Sequence, residues 1–329
     1  MSKRPYRVAV TRRIFPALIE ELKESYDVVD NQADLSLAPE QLAERLADVD
    51  GALITAGDRI DDALLAGCPR LKIVANIAVG YNNIDLAACT RHGVVATNTP
   101  EVLNEATADH AWALLLAAAR RVCEAERWLR AGHWKRWEFE MFLGAELHGT
   151  TLGVIGMGRI GRAIARRAAG FSMRVVYHNR TRLPADQEGG AVWATKEEVL
   201  RTADHVVVMV PYSRDTHHLI GAAELALMKP TAVLVNIARG GVVDDDALID
   251  ALKNGRLAAA GLDVFEDEPN LRRGFLELEN AVLTPHIASS TRATRNAMAR
   301  LAMRNLAETL AGRRPPSLLN PDVWDARRT

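Results

Sequence analysis

The chain has 329 residues, 48% hydrophobic and 25% charged, an ordinary globular composition with room for two domains. Lysine and arginine number 41 against 42 acidic residues, and the formal charge of −1 supplies no long-range attraction to nucleic acid or to an anionic membrane. The longest apolar helical run, Ala111 to Ala119, falls well short of the ~20 residues that span a bilayer.

Met1 to Val10 is too short and polar to hold a signal-peptide core. Cys68, Cys89 and Cys123 form an odd, scattered set without zinc-ligand spacing, so reduced thiols, no bound metal and a cytoplasmic location are expected.

Short β-rich runs at Arg7–Thr11, Asp27–Asp30, Ala52–Thr55 and Lys72–Asn76 alternate with helical stretches at Ala17–Lys23, Pro39–Leu46, Asp61–Ala66 and Asp85–Arg91. Gly93–Thr97 reads as a fifth strand. This alternation predicts a parallel sheet covered by helices. Asn104 to Arg130 is nearly free of Gly and Pro and reads as one long helix. His133 to Leu143 follows, dense in aromatics (Trp134, Trp137, Phe139, Phe142), which favours a subunit contact over internal packing.

A second βαβ series begins at Thr151, with strands at Leu152–Ile155, Arg174–Tyr177, Val206–Val210, Ala232–Asn236, Ala258–Leu262 and Ala281–Leu283. Thr291 to Ala311 closes the pattern as a long helix. The expected class is α/β with two doubly wound parallel-sheet domains. Residues 1–99 plus 287–329 form a flavodoxin-like substrate domain, and 100–286 form an inserted Rossmann-type dinucleotide domain with a dimerisation arm at about 104–148.

Gly156, Gly158 and Gly161 make a G-x-G-x-x-G that follows an apolar strand and opens a helix with Ile160, Ile164 and Ala168 on one face. The first glycine permits a tight turn, the second lets the backbone approach a pyrophosphate, and the third lets the helix pack close. Gly170 is the expected helix stop. The next strand ends in His178-Asn-Arg-Thr-Arg182, without the acid that holds an NAD ribose. Arg180 and Arg182 around Thr181 suit a 2′-phosphate instead, which favours NADP(H) and leaves NAD(H) open.

Arg239, the acidic run Glu266, Asp267 and Glu268, and His286 each follow a strand of the second series. In an open parallel sheet such positions converge on one edge. Hydride addition to a 2-keto acid leaves negative charge on the former carbonyl oxygen. An imidazole can protonate it, a carboxylate can orient the imidazole, and a guanidinium can hold the substrate carboxylate and polarise the carbonyl. Spacing alone does not choose among the three acids.

Residues 72–312 resemble the D-2-hydroxyacid dehydrogenase family, and most closely its glyoxylate/hydroxypyruvate reductase branch. The matching stretches are Val74 to Asp85, Thr97 to Asp109, Gly156 to Gly161, Asn236 to Gly241, Leu262 to Pro269 and Thr284 to Ser289. Val102-Leu103 with Ala106-Thr-Ala-Asp109 is similar to the glyoxylate reductases. The resemblance implies a catalytic trio of Arg239, Glu268 and His286, with Val79 and Gly80 offering backbone N–H groups to the substrate carboxylate. It implies cofactor contacts from Thr107, Arg159, Ile160, Asn179, Pro211, Thr216, Ile237, Ala238, Asp263, Ala288 and Ser289, beside the glycines, Arg239 and His286. It also implies a homodimer that reduces glyoxylate or hydroxypyruvate. The other readings are a sibling reductase of pyruvate or 2-ketogluconate, and a dinucleotide-gated, corepressor-like interaction protein.

Overall fold

The computed structural model describes residues 6–328. In chain order the elements are β1 (Arg7–Val10), α1 (Pro16–Lys23), β2 (Asp27–Val29), α2 (Pro39–Leu46), β3 (Gly51–Ile54), α3 (Asp62–Ala66), β4 (Ile73–Asn76), α4 (Leu86–Arg91) and β5 (Val95–Thr97). They continue with α5 (Asn104–Ala119), α6 (Val122–Arg130), β6 (Thr151–Ile155), α7 (Arg159–Ala168), β7 (Arg174–His178), β8 (Val192–Trp193), α8 (Lys196–Thr202) and β9 (His205–Val208). The last are α9 (Ala222–Leu225), β10 (Val233–Asn236), α10 (Asp245–Lys253), β11 (Ala259–Leu262), β12 (Ala281–Leu283) and α11 (Arg292–Leu310).

The chain divides into two compact units. One runs to Leu103 and resumes at Thr291, and the other is Asn104–Ser290. The first unit carries a parallel sheet in the order β2-β1-β3-β4-β5, the flavodoxin-like order. The second carries a parallel sheet in the order β12-β11-β10-β9-β6-β7-β8. Its strand order reverses between β6 and β9, and that switch point opens a crevice at the strand C-termini. Central strands β3, β4, β9, β10 and β11 are buried along their whole length, as a sheet covered on both faces requires.

Local chemistry sets the helix starts. Proline occupies the first turn of α1 and α2, where its missing N–H costs nothing. Asp61, Asp85, Thr195, Asp244 and Thr291 cap α3, α4, α8, α10 and α11, each accepting a first-turn N–H. α5 buries Thr107, Ala108, Ala111, Trp112, Leu114, Leu115 and Ala118. Its Leu114 packs on Gly261 in β11, where an added Cβ would come within 2.9 Å of the Leu114 Cβ.

Two expectations are corrected. The single helix over 104–130 is two, because the Ala119 carbonyl accepts the N–H of Ala145 and the chain turns through Arg121 in a left-handed conformation. Gly170 does not stop α7: it lies in a 3-10 turn over Ala169–Phe171, and the left-handed residue is Ser172. The two-residue β8 also escapes the sequence reading, being too short to show an alternation. Among the described residues no helix is long and apolar enough to cross a membrane.

The glycine loop shows how tightly β6 meets α7. Gly156 adopts φ +105° and packs on the Met209 carbonyl, and a Cβ on Gly161 would lie 2.2 Å from the Gly156 oxygen. Gly158, in contrast, has open space where a Cβ would stand. Gly161→Ala is therefore expected to destabilise the protein by about 1–3 kcal/mol, while Gly158→Ala leaves the melting temperature unchanged. Thermal denaturation of both variants checks this, and equal losses would contradict it.

Candidate active site

The site is built on the C-terminal edge of the second unit's sheet. β10 ends at Asn236, whose side-chain oxygen accepts the N–H of Ala238 and turns the chain toward Arg239. Ile237 and Ala238 are buried in that turn. The following Gly240 is pressed so close to the Phe265 carbonyl that no side chain fits. That contact locks the Arg239 turn to the loop after β11, which carries Glu268.

Glu268 is the acid brought to His286. One of its oxygens accepts the N–H of Phe265 at 2.9 Å, and the other lies 2.7 Å from His286 Nδ1. A carboxylate only accepts, so the contact places the proton on Nδ1 and leaves Nε2 for chemistry. Asp267 turns through a left-handed conformation. Glu266 points elsewhere, toward His218 and Arg272. Of the three acids, Glu268 is therefore the one in contact with His286. Burial lowers the pKa of the Arg239 guanidinium, and the charge of Glu268 works against that shift. Arg239 Nη1 donates to the Ala238 carbonyl at 2.7 Å.

His286 itself has φ +54°, a strained conformation for a side chain of its size. It is held there by Asp263, the fully buried residue that follows β11. Asp263 accepts the N–H groups of Ile287 and Ala288, both at 2.8 Å, and the Thr284 hydroxyl at 2.7 Å. His110 Nε2 completes the cluster, 3.0 Å from the Thr284 hydroxyl and 3.3 Å from Asp263. Burial would raise the Asp263 carboxyl, but the hydrogen bonds from His110, Thr284, Ile287 and Ala288 outweigh it and hold the pKa below the ordinary range. Sequence reasoning missed His110, although its i+3 spacing from Thr107 puts both on one face of α5.

The glycine loop lies on the same sheet, after β6. No side chain caps the N-terminus of α7, where Arg159, Ile160 and Gly161 form the first turn. With the open space at Gly158, this fits the pyrophosphate of a dinucleotide. Asn179 accepts the Met157 N–H at 2.7 Å and so ties the end of β7 to the loop. Thr216 folds the segment after β9 on itself, donating to the Pro211 carbonyl at 2.8 Å. Ser289 follows Ala288 and is half-buried.

The two arginines after β7 are not equivalent in their surroundings. Arg182 is bound through two nitrogens to Glu188, at 2.8 and 3.1 Å, and the same carboxylate accepts the Tyr177 hydroxyl. Arg180 and Thr181 are exposed. Among the described residues no hydrogen bond or ion pair engages Arg180.

Val79 and Gly80 belong to the other unit, just past β4. Their carbonyls accept the side-chain amides of Asn98 and Asn76, at 2.7 and 2.9 Å, which fixes the orientation of these peptides.

Because its carboxyl is held low, Asp263 contributes stability that is present above the unfolded pKa and is lost as pH falls through the folded value. Asp263→Asn is expected to cost about 1–3 kcal/mol at neutral pH, shrinking toward zero below the usual carboxylate range. Chemical denaturation from pH 7 downward measures it, and a difference independent of pH would refute the assignment.

The profile described as "D-isomer specific 2-hydroxyacid dehydrogenase, NAD binding domain" matches residues 112–288. A glyoxylate reductase of Pyrococcus furiosus is 49% identical over 327 residues, covering 98% of this chain and 97% of that protein. An NADPH-dependent glyoxylate/hydroxypyruvate reductase of Sinorhizobium meliloti, solved with NADP and malonate, superposes with a TM-score of 0.86 at 37% identity and covers 99% of each chain. A glyoxylate reductase structure from Paecilomyes thermophila gives a TM-score of 0.87 at 32% identity, over 98% of this chain and 99% of that one. The chain belongs to the D-isomer-specific 2-hydroxyacid dehydrogenase family, in its glyoxylate reductase branch, and is an NAD(P)-dependent dehydrogenase.

Proposed function

We propose that the protein reduces glyoxylate or hydroxypyruvate to the D-2-hydroxy acid, with NADPH as the preferred reductant and NADH accepted. The observation that carries the reading is the 2.7 Å contact of Glu268 with His286, on the sheet edge that also bears Arg239 and the glycine loop. The bound dinucleotide supplies the hydride.

The chain's own residues do the rest. Arg239 pairs with the substrate carboxylate and draws electron density toward the carbonyl oxygen, an interaction strengthened by its burial. His286 Nε2 delivers a proton to that oxygen as negative charge develops, while Glu268 keeps the ring oriented through Nδ1. Backbone N–H groups of Val79 and Gly80 bind the substrate carboxylate. Gly156, Gly158, Arg159, Ile160 and Gly161 receive the pyrophosphate at the α7 N-terminus. Asn179 and Thr181 border the adenosine ribose, and Pro211 and Thr216 flank the dinucleotide. Thr107, Ile237, Ala238, Asp263, Ala288 and Ser289 line its nicotinamide half.

The NADPH preference is supported by Arg180, exposed after β7 where no acid stands. Arg182 serves a different end by bracing Glu188 and Tyr177 beneath the same turn. In reductive compartments the buried Cys68 and Cys89 remain thiols, and burial pushes the Cys89 thiol up to about 12. That suits a cytoplasmic enzyme.

The homodimer is supported by the segment after α6, where Trp137 and Phe139 are 73% and 82% exposed. Beside it a hollow of about 530 Å³ is lined by Ala117, Cys123, Leu143, Pro230 and Val282. Exposed aromatics of this kind are enriched at protein–protein interfaces.

Glyoxylate reduction assayed with both cofactors tests the catalytic reading. His286→Ala and Glu268→Gln should lower kcat by two orders of magnitude or more, about the contribution of a positioned acid, with cofactor affinity nearly unchanged. Arg180→Ala should raise the KM for NADPH by about ten-fold and leave that for NADH within two-fold. Equal losses in turnover and cofactor binding, or equal effects on the two cofactors, would overturn these roles. Separately, Trp137→Glu with Phe139→Glu should shift the protein from dimer to monomer in sedimentation, and a wild-type monomer would refute the interface.

A further inference from the structure

The pair His217-His218 has no part in the mechanism above, and the sequence shows no metal-ligand spacing around it. The fold nevertheless brings both residues to Glu266, from the loop after β11. Each of the three presents a ligand-capable atom, and these atoms lie within 4.8 Å of one another. The two imidazoles stack with centroids 3.9 Å apart, and His218 adopts φ +50° to reach this position.

His218 is the informative member. Its Nε2 is buried and makes no hydrogen bond, although Glu266 Oε1 lies 3.5 Å away. A tetrahedral ion with bonds of ~2.0–2.2 Å holds its ligand atoms roughly 3.4 Å apart, so the pair is spaced as two ligands of one ion. On the far side of the ring, Asp244 Oδ2 stands 3.6 Å from Nδ1. An ion bound at Nε2 would leave the ring proton on Nδ1, facing this carboxylate, as behind other metal-bound histidines. Asp244 is itself immobilised as the N-cap of α10, accepting the Ala247 N–H at 3.0 Å.

The surroundings keep the space open. A Cβ on Gly241 would lie 3.4 Å from His217 Nδ1 and 3.8 Å from Glu266 Oε1, so the glycine leaves room beside both donors. The Tyr212 hydroxyl braces the His217 ring at 3.3 Å from Nδ1. Arg272 approaches only the other Glu266 oxygen, at 4.0 Å. Two imidazoles and one carboxylate suit zinc, cobalt or nickel, whereas magnesium and calcium select oxygen ligands.

We propose that His217, His218 and Glu266 bind one divalent ion of the zinc class, joining the segment after β9 to the loop that carries Glu268. The exposed His217 moves inward by about 1 Å to complete the triad.

The test uses the full chain stripped of metal, titrated with Zn²⁺ against a chromophoric chelator and with Co²⁺ by visible absorption. Wild type should bind one equivalent of each and show a higher melting temperature with Zn²⁺, whereas Mg²⁺ has no effect. His217→Ala, at an exposed position, and His218→Asn, which tolerates the left-handed backbone, should each weaken binding at least about ten-fold while melting normally without metal. Absence of stoichiometric Zn²⁺ binding by wild type would overturn the site, and so would affinity unchanged in both variants. In either case His218 would be an ordinary ion-pair partner of Asp244 and Glu266.

Discussion

The buried carboxylate of Asp263 is the anchor on which the candidate site depends. It gathers two backbone N–H groups and a hydroxyl from the turn after β12, and His110 from α5. That cluster holds the turn in a shape which gives His286 a left-handed backbone and presents its imidazole to Glu268. A carboxylate in this setting is costly to bury, and only a full set of donors offsets the loss of water. The strain at His286 is thus maintained by hydrogen bonds made by its neighbours, an arrangement common where geometry serves chemistry.

The same logic of close approach runs through the glycines. Gly156, Gly161, Gly240 and Gly261 each stand where backbone or side chain comes nearer than a Cβ permits. Two of these contacts shape the dinucleotide loop, one joins the Arg239 turn to the Glu268 loop, and one seats α5 on the sheet. Within the G-x-G-x-x-G loop Gly158 differs from Gly156 and Gly161 in having free space where a Cβ would stand, which leaves room for a ligand there.

Charge is distributed with similar economy. Arg239 is half-buried near Glu268, where loss of water lowers its pKa and the carboxylate opposes that shift. Arg182 is neutralised by Glu188 and serves the fold, while Arg180 stays in solvent at the end of β7. Two like residues separated by one position therefore stand in different surroundings, because only one is paired with a carboxylate.

The amino-acid sequence by itself determined the two parallel sheets, the strand–glycine loop–helix unit and the strand ends that carry Arg239, the acidic run and His286. These are local signals: apolar runs bounded by turns, caps at helix starts, glycines at fixed spacing. It did not reveal that the helix over 104–130 breaks at Arg121, because the group that ends α5 is Ala145, well beyond it along the chain. Nor did spacing distinguish Glu268 from Glu266 and Asp267; that choice came from family resemblance, and the tertiary structure supports it by a single hydrogen bond. The roles of Asp263, His110, Glu188 and His218 were decided only by folding, since each depends on partners from different elements. Periodicity reports which face of an element is buried, whereas a hydrogen bond between distant loops exists only once the sheet has set their positions.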